Sequence, residues 1–394
     1  MSPSYHAGVQ RFREAISDSR LSAIAEFKRR SPSMGDIRPD ARIEEIVPAY
    51  ERGGASAVSV LVDERFAGSI DDLRAARAVT TLPLLAKGFF STEEHLREVR
   101  EAGADAALLI LRDLDDETTT GLINYADELG LEALVEAHDY EELHRAMRLG
   151  DGLIGVNARD LSTFEIDREE QLRLVAFNDL ADDFVVAESG IHTRVQAVEA
   201  ELAGAHAVLV GTSLMQASDP ETKLRELLRR PLVKVCGLTR QEDVNAAVEA
   251  GADMLGFIFA QGSPRQAPAV LHVPDTALSV AVFVGAPEDR GADLVQVYEP
   301  EEGKVRGRRG YLASEHGRVQ VWDLPWDEPD PDHWVKGRSF MSRGMLAGRL
   351  GPDNVRAAID AVDPWAVDAA SRLESEPGIK DHAKVRAYVE AARG

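Results

Sequence analysis

The sequence has a single cysteine, Cys236, among 394 residues, so it cannot form an intrachain disulfide. That scarcity favours a reducing compartment, and we expect the chain to be cytoplasmic. No apolar run approaches the roughly 20 residues that cross a membrane, and the first 20 residues lack a signal peptide's apolar core. Basic residues are few, 45 against 68 acidic, which gives a net charge of −23. Such a chain is a poor partner for nucleic acid or anionic membranes, although a local basic pocket can still hold a phosphate.

Short apolar runs are frequent in the first half of the chain. Amphipathic stretches such as 92–102 and 139–149 separate them, and Gly103 and Gly150 follow as stop signals. Continuous apolar runs are typical of strands that are covered on both faces. Eight strand–helix units in about 230 residues predict a single (β/α)8 barrel. The eight runs are 23–27, 57–62, 83–87, 106–111, 132–137, 153–157, 184–188 and 207–211.

Polar residues recur at one end of these runs. Glu26 and Lys28 lie two residues apart where the first strand ends, so their side chains point to the same side. Other strands end in Lys87, Glu136, Asn157, Glu188 and Gly211. One charged strand end is usually an ordinary ion pair, but a set at the carboxyl end of a barrel is how this fold builds an active site. Small residues after the last two strands would let backbone N–H groups approach a phosphate there.

Seven motifs of this region resemble indole-3-glycerol phosphate synthase, an enzyme of tryptophan biosynthesis. In chain order they are EFKRRSPS, VLVDERFAGS, LLAKGFF, LVEAHD, GVNARDLSTFEID, VAESGI and LVGTSLM, within residues 22–228. The resemblance implies closure of 1-(2-carboxyphenylamino)-1-deoxyribulose 5-phosphate to an indole, with loss of CO2 and water. It implies a phosphorylated small molecule as partner, and no metal or organic cofactor. The ten histidines and single cysteine agree, because they form no group with metal-ligand spacing.

The resemblance also assigns roles to residues of this sequence. Lys87 would be the acid that protonates a carbonyl oxygen during ring closure, since an ammonium in an apolar pocket suits that task. Glu136 would handle a proton in the later dehydration, and Arg159 would fork onto the anthranilate carboxylate. The other catalytic positions, which orient the substrate or complete the ring of charges, are Lys28, Glu26, Asn157 and Glu188. The other substrate-binding positions are Ser31, Ser189, Gly190, Gly211 and Thr212 around the phosphate, with Phe66 and Phe89 as apolar walls or plain core.

Two departures from the family pattern concern rate and affinity. Gly88 follows Lys87 where the family usually has aspartate, which would remove one anchor of the lysine. The segment before Glu26 is short, so we expect only part of the family's N-terminal helix, which helps to cover the barrel mouth. A different phosphate-binding barrel enzyme, such as a pentulose-phosphate epimerase, is the outside alternative. It would need a metal-ligand set that this sequence does not provide.

A second domain begins after a brief junction at Pro231, so we divide the chain into residues 1–230 and 231–394. The motifs KVCGLTR, GFIF, SPR, LAGRLGPDNV and ESEPGIKD resemble phosphoribosylanthranilate isomerase. In that family a cysteine at the position of Cys236 is the base of an Amadori rearrangement, and Arg265 would hold the anthranilate carboxylate. We therefore expect an α/β protein of two fused TIM barrels, with a monomer as the working expectation.

The second barrel is expected to be shortened or degenerate. Residues 231–394 are fewer than the roughly 200 of the fold's lower limit, and we place seven strands, with 334–340 as the candidate for an eighth. We find no general-acid aspartate or glycine-rich loop in register at the sixth strand. Tyr298 replaces a usual histidine, and Arg349 interrupts a double glycine. An isomerase homologue of impaired activity is the favoured interpretation. The alternatives are a fully bifunctional enzyme, with an acid between Asp323 and Asp332, and a purely structural domain.

Overall fold

The computed structural model describes residues 10–18, 20–150, 152–160, 163–177, 183–300, 309–323 and 344–394. The chain divides into two compact units, Met1–Leu228 and Arg229–Gly394. The boundary that we predict from the sequence lies two residues further along the chain, between residues 230 and 231.

The first unit is built on a closed barrel of parallel strands. Its strands are β1 (Ser22–Phe27), β2 (Arg30–Ser31), β3 (Gly35–Asp36), β4 (Ala57–Leu61), β5 (Leu84–Lys87), β6 (Ala106–Ile110), β7 (Glu132–Ala137), β8 (Leu153–Asn157), β9 (Phe184–Glu188) and β10 (Ala207–Val210). The barrel has the order β1-β10-β9-β8-β7-β6-β5-β4, and β2 and β3 form a small antiparallel hairpin. The predicted (β/α)8 barrel is confirmed, and each predicted strand overlaps an observed one.

One helix precedes the first strand, and the others follow barrel strands. They are α1 (Arg11–Ile16), α2 (Ile43–Gly53), α3 (Ile70–Val79), α4 (Glu93–Glu101), α5 (Asp116–Glu128), α6 (Tyr140–Leu149), α7 (Arg168–Phe177), α8 (Arg194–Ala203), α9 (Thr212–Gln216) and α10 (Pro220–Leu228). The side chains of Thr92 and Asp139 cap α4 and α6 by accepting from backbone N–H groups. Gly103 takes a φ of +102° after α4, which favours glycine, whereas Gly150 after α6 is extended. Within the described residues, no helix is both long and apolar enough to span a membrane.

Alternate residues of the strands fill the inside of the barrel. The interior cluster consists of Phe12, Ile16, Ile24, Ala57, Leu85, Ala106, Leu108, Ile110, Leu134, Leu153, Val186, Ala207 and Leu209. The intervening residues, such as Ala25, Val58 and Ala86, belong to a second cluster that packs the strands against the helices. This two-residue period means that each strand presents every other side chain to the interior, including its last one or two positions.

The helix α1 lies at the amino ends of the strands, opposite the mouth. Phe12 and Ile16 are fully buried in the interior cluster beside Ala57 and Leu153, which begin β4 and β8. The Phe12 N–H donates to Glu132 Oε1, at the start of β7, over 2.6 Å. The described part of this segment therefore lies away from the mouth, which the family's N-terminal helix is expected to help cover. Two apolar side chains at i and i+4 make it a plug for the other end of the barrel.

The second unit also closes into a barrel of eight strands. Its strands are β11 (Leu232–Cys236), β12 (Met254–Ile258), β13 (Leu278–Val284), β14 (Leu294–Tyr298), β15 (Arg309–Ala313), β16 (Arg318–Asp323), β17 (Gly344–Ala347) and β18 (Ala366–Ala369), followed by the hairpin strands β19 (Glu374–Glu376) and β20 (Ile379–Lys380). Its described helices are α11 (Gln241–Glu249), α12 (Val355–Val362) and α13 (His382–Arg393).

One strand of this barrel runs against the others. β15 pairs antiparallel with both β14 and β16, whereas the other barrel pairs are parallel. The predicted set of seven strands missed β15, and the candidate eighth strand at 334–340 lies outside the described residues. A four-residue link, Ser314–Gly317, joins β15 to β16, which leaves no room there for the usual helix. The expectation of a degenerate barrel is therefore confirmed by topology, while the barrel itself is closed.

We predict that Phe12→Ala lowers the stability of the first barrel by about 3–5 kcal/mol, because it empties a fully buried site. Hydrogen exchange of the strand amides in the whole chain measures this loss. Phe177→Ala is the matched control, since that ring is 42% exposed, and it should cost far less. Equal losses in the two variants would contradict the plug.

Candidate active site

The alternation of side chains brings the predicted residues of the first barrel together. Ile24 precedes Glu26 by two residues, and the same spacing relates Leu85 to Lys87, Leu134 to Glu136, Val186 to Glu188, and Leu209 to Gly211. The apolar member of each pair lies in the interior cluster, so the polar member faces the carboxyl end of the barrel. All predicted site residues of this unit line one cavity of about 110 Å³ there, except Glu188, which contacts Lys87.

Lys87 lies at the centre of this arrangement. Its Nζ is 2.5 Å from Glu188 Oε2, 3.6 Å from Glu26 Oε2 and 3.9 Å from Glu136 Oε2. Lys28 Nζ contacts the other oxygen of Glu26 at 2.7 Å. The lysine is thus held by three carboxylates, and the loss of an anchor expected from the neighbouring glycine is compensated.

The electrostatics of the cluster follow from burial and neighbouring charge. Burial alone would lower the pKa of Lys87, but Glu188, Glu26 and Glu136 outweigh it and raise that pKa. Burial raises the pKa of Glu188, and the proximity of Glu136 adds to the rise while Lys87 opposes it. Burial would also raise the pKa of Glu136, but His138 and Lys87 outweigh it and lower that pKa. The two carboxyls therefore titrate as a pair in which Glu188 keeps a proton to higher pH.

Two strand positions must be glycine for the cluster to form. A Cβ on Gly155, in the middle of β8, would lie 2.1 Å from Glu188 Oε1. A Cβ on Gly211, after β10, would lie 2.2 Å from Glu26 Oε1 and 3.1 Å from Lys28 Cε. Both distances are far below van der Waals contact. The carboxylates of Glu188 and Glu26 therefore occupy the space that a side chain at these two positions would fill. Gly211 thus serves the charged cluster as well as the predicted phosphate region.

The loops after β1 and β8 meet at the mouth. Arg159 Nη1 donates to Ser33 Oγ at 3.1 Å and to the Phe164 carbonyl oxygen at 3.0 Å. The Arg159 N–H donates to Asn157 Oδ1 at 3.0 Å, and the hydroxyls of Ser31 and Ser33 are 3.0 Å apart. A guanidinium carries five N–H donors, so a residue in this position can also receive a carboxylate of a ligand.

The loops after β9 and β10 form a concave stretch of backbone. Ser189 and Gly190 take φ values of +66° and +72°, and a Cβ on Gly190 would lie 2.6 Å from Arg168 Cδ. The Ser213 hydroxyl donates to the Ile191 carbonyl oxygen at 2.9 Å, which ties the two loops together. Backbone N–H groups that are presented in turns can form concave sites that bind anions.

Two aromatic rings form one side of the cavity. Phe66 and Phe89 stack with their centroids 6.4 Å apart and their planes 18° from parallel. The Arg65 guanidinium lies 3.5 Å from the centroid of Phe89 and pairs with Asp63 at 2.8 Å. Both rings are half-buried and line the cavity, and Phe89 also packs against the interior cluster.

Sequence reasoning missed other residues of the site. His138 contacts Glu136, and Phe164 and His192 line the cavity. Phe164 sits in the motif GVNARDLSTFEID, but an aromatic residue in a loop carries no signal of which way it faces. His138 follows Glu136 by two residues, so the same two-residue period could have found it. The remaining lining residues are the strand residues Leu61, Leu108, Ile110 and Leu209 with Pro32, Gly88 and Ile191, and the apolar ones read as ordinary core.

The predicted site residues of the second barrel lie among buried ion pairs. Lys234 Nζ is 3.0 Å from Asp368 Oδ2, with both side chains almost completely buried. Cys236 lies in the same strand as Lys234 and is buried; burial raises the pKa of its thiol, although Lys234 opposes the rise. Arg265 is engaged by Glu374, with Nε at 2.8 and 3.0 Å and Nη2 at 2.9 Å from the carboxylate oxygens.

The end of the sixth strand differs from the expectation. β16 ends at Asp323, so an aspartate is in register there, and the prediction that none would be is wrong. Its Oδ2 is 3.5 Å from the Tyr298 hydroxyl, which accepts from Gln296 Nε2 at 2.8 Å. Residues 324–343, which include Asp332, lie outside the described residues. Arg349 takes a φ of +54°, so an arginine stands in a conformation that favours glycine, where a glycine was expected.

Comparison with known proteins identifies two families. Residues 4–227 match the model of indole-3-glycerol phosphate synthase, and residues 332–391 match that of N-(5'-phosphoribosyl)anthranilate (PRA) isomerase. An indole-3-glycerol phosphate synthase of a Nocardioides species is 46% identical over 208 residues, which is 52% of this chain and 79% of that protein. The enzyme of the same name from Aquifex aeolicus is 41% identical over 219 residues, 55% of this chain and 85% of that protein.

A longer relative matches nearly the whole chain. The multifunctional tryptophan biosynthesis protein of Phycomyces blakesleeanus is 30% identical over 486 aligned residues, 96% of this chain and 63% of that protein. The chain therefore spans less than two thirds of the length of this relative.

We predict that Gly155→Ala lowers the stability of the first barrel by about 1–3 kcal/mol, because its Cβ displaces the Glu188 carboxylate. Gly121→Ala is the matched control. Gly121 is exposed in α5 with nothing within 4 Å of its Cβ position, so alanine should raise stability by about 0.4–1 kcal/mol. Hydrogen exchange of the whole chain compares the two, and a Gly155→Ala chain as stable as the control would contradict the packing.

Proposed function

Because the chain belongs to the indole-3-glycerol phosphate synthase family, we propose that its first barrel catalyses the reaction for which that family is named. The substrate is 1-(2-carboxyphenylamino)-1-deoxyribulose 5-phosphate, and the product is indole-3-glycerol phosphate, with release of CO2 and water. The observation that carries the proposal is the buried ammonium of Lys87 among Glu26, Glu136 and Glu188, next to a backbone turn suited to a phosphate.

Substrate binding uses three sides of the cavity. The phosphate lies against the loops of Ser189, Gly190, Gly211 and Thr212, with Ser31 opposite. The anthranilate ring packs on Phe66 and Phe89, whose faces are apolar. Its carboxylate is received by the Arg159 guanidinium, which pairs well with planar anions. This orientation places the ribulose chain across the ring of charged side chains.

Ring closure requires a proton on the carbonyl oxygen as the aromatic carbon attacks it. Lys87 supplies that proton, because its raised pKa keeps it an ammonium at neutral pH and the carbonyl oxygen becomes more basic as the aromatic carbon attacks. Loss of CO2 then restores the aromatic ring. Glu136 accepts a proton in the final dehydration, and its lowered pKa keeps it ionised for that purpose. Glu26, Lys28 and Asn157 orient the intermediates, and Glu188 holds Lys87 in position by accepting a hydrogen bond from its Nζ.

The same proposal includes the cofactor requirement, the oligomeric state and the compartment. No step above uses a metal or an organic cofactor, since side chains supply both acid and base. We propose a reducing cytoplasm, supported by the single cysteine, which is buried, and keep a monomer as the working expectation.

For the second barrel we propose an isomerase-like domain of weak activity. A base must be ionised to remove a proton, whereas burial keeps Cys236 as a thiol by raising its pKa. Arg265 is already bound by the Glu374 carboxylate, which competes with an anthranilate carboxylate. Asp323 is available as an acid at a strand end, so full bifunctionality is the second candidate.

We predict that Lys87→Ala and Glu136→Gln each lower the turnover of the synthase reaction at least about 100-fold, the usual effect of losing a proton-transfer group. Both variants should fold, because the carboxyls that lose a cation in Lys87→Ala can take up a proton, and Glu136→Gln puts a neutral amide of the same shape in place of a buried charge. Indole formation by the whole chain, measured by fluorescence, gives the turnover, and circular dichroism checks folding.

The control for this pair is Arg74→Ala, which removes an exposed cation on α3 that pairs only with its helix neighbour Asp71 among the ion pairs described. Its turnover should equal that of the unaltered chain. Near-normal turnover in Lys87→Ala or Glu136→Gln would remove that residue from the mechanism.

We predict that the whole chain isomerises phosphoribosylanthranilate at least about 100-fold more slowly than it closes the indole ring, as expected when one proton-transfer group is ineffective. Separate assays of the two reactions measure the ratio, with Cys236→Ser and Asp323→Asn as variants. Rapid isomerisation that is lost in both variants would establish the bifunctional alternative. No turnover in any of them would favour a structural domain.

A further inference from the structure

His138 lies behind the catalytic cluster of the first barrel. It follows the end of β7, and its side chain is 2% exposed. Its Nε2 is 3.2 Å from Glu136 Oε1, and its Nδ1 is 2.9 Å from Glu142 Oε2. The backbone N–H of His138 also donates to Glu142 Oε2 at 2.8 Å, which fixes the Glu142 carboxylate in place. Among the described residues, Glu136 lines the cavity, whereas His138 does not line it and contacts Glu136 instead.

A buried imidazole between two carboxylates carries a proton on each nitrogen. A neutral ring would present a lone pair to one of the two carboxylates, which are acceptors only when ionised. Burial alone would lower the pKa of His138, but Glu136 and Glu142 outweigh it and raise that pKa to about 9. The ring is therefore an imidazolium at neutral pH, and it adds a third cation to the cluster beside Lys87 and Lys28.

This cation reverses the preference that Lys87 alone would impose on the two carboxyls. Lys87 Nζ is 2.5 Å from Glu188 but 3.9 Å from Glu136, so by distance the lysine favours an ionised Glu188. Glu136 has a cation of its own at 3.2 Å, the imidazolium of His138. With two cations beside one carboxyl and one beside the other, the shared proton belongs on Glu188.

Charges further out support the same arrangement. Glu142 also accepts from Arg112 Nε at 3.1 Å, and Arg112 Nη1 is 3.5 Å from Asp160 Oδ2. From the cavity to the surface, the side-chain charges therefore alternate in sign along the series Glu136, His138, Glu142, Arg112 and Asp160. Glu26, the remaining carboxylate of the cluster, is neutralised by Lys28 at 2.7 Å.

We propose that His138 is a positioning residue that holds Glu136 ionised and directs the proton of the pair to Glu188, so that Glu136 is the base of the reaction. The role of Glu136 as a base rests on the proposed function. The placement of the proton on Glu188 does not, because it is a property of the protein without substrate. It can therefore be tested with and without turnover.

The first experiment is a nitrogen NMR titration of the whole chain with labelled histidine, using His138→Gln to assign the resonance among ten histidines. We expect both ring nitrogens of His138 to remain protonated at pH 7.5. The midpoint should lie near the value of about 9. It should fall by at least about one pH unit in Glu142→Gln, which replaces a charge by a neutral amide. A neutral ring at pH 7.5, or a midpoint that Glu142→Gln leaves unchanged, would overturn the inference.

The second experiment compares the pH dependence of turnover in His138→Gln and His144→Gln. His144 is exposed on α6 and packs on Tyr140, so it is the matched control. Without the imidazolium, Glu136 is protonated at a higher pH. The acidic limb of kcat should therefore move up by at least about one pH unit. At neutral pH, kcat should fall about 10–100-fold with KM nearly unchanged, as for other residues that support a catalytic group.

The outcomes separate this inference from the proposed function. An unaltered chain that forms no indole product rejects the proposed function, and the NMR titration still decides the protonation of His138. An active chain in which His138→Gln loses turnover equally at every pH shows a purely structural role and overturns the inference. A change in KM alone, or full activity in His138→Gln, overturns it as well.

Discussion

The ion cluster around Lys87 is the constraint on which the rest of the first barrel depends. Removing charged groups from water costs several kcal/mol for each ion, and mutual attraction repays this only when the geometry is close. Here Glu26, Glu136 and Glu188 are at most 4% exposed, and the lysine contacts all three. Apolar residues at these positions would stabilise the barrel as well or better, so the cluster is maintained for its chemistry. Its carboxylates need the space of Gly155 and Gly211, and the Gln171 side chain fixes the backbone of Glu188 at 2.6 Å.

Much of this arrangement could be predicted from the sequence, because the side-chain alternation within each strand decides which residues meet at the mouth of a parallel barrel. A period of two along each strand and a common direction for all strands suffice to gather Glu26, Lys87, Glu136 and Glu188 at one mouth. Contacts between chain positions that no period relates could not be predicted. Whether α1 closes the mouth or the opposite end depends on where Phe12 packs, and a short amphipathic helix fits either end by its pattern. Which of two buried carboxyls keeps a proton depends on distances below 4 Å, which only the fold supplies.

The second barrel shows how the same architecture can close with a different chemistry. The antiparallel strand β15 replaces a strand–helix unit by hairpins, and it escaped prediction because Arg309–Ala313 is largely half-buried and not continuously apolar. At its mouth, Lys234 pairs with Asp368, and Glu374 pairs with both Lys380 and Arg265. Each of these cations pairs with one carboxylate of the same unit, and Glu374 is shared by two of them. In the first barrel Lys87 is instead shared by three carboxylates beside an open cavity.

The central claim is that Lys87 is an ammonium held by the three carboxylates of the first barrel. The most direct measurement is a titration of its Nζ by nitrogen NMR in the whole chain with labelled lysine, assigned with Lys87→Arg. We predict that Lys87 stays protonated above the ordinary lysine pKa of 10.5, and that Glu188→Gln lowers the pKa of Lys87. A Lys87 that loses its proton at or below 10.5, with or without Glu188, would contradict the account.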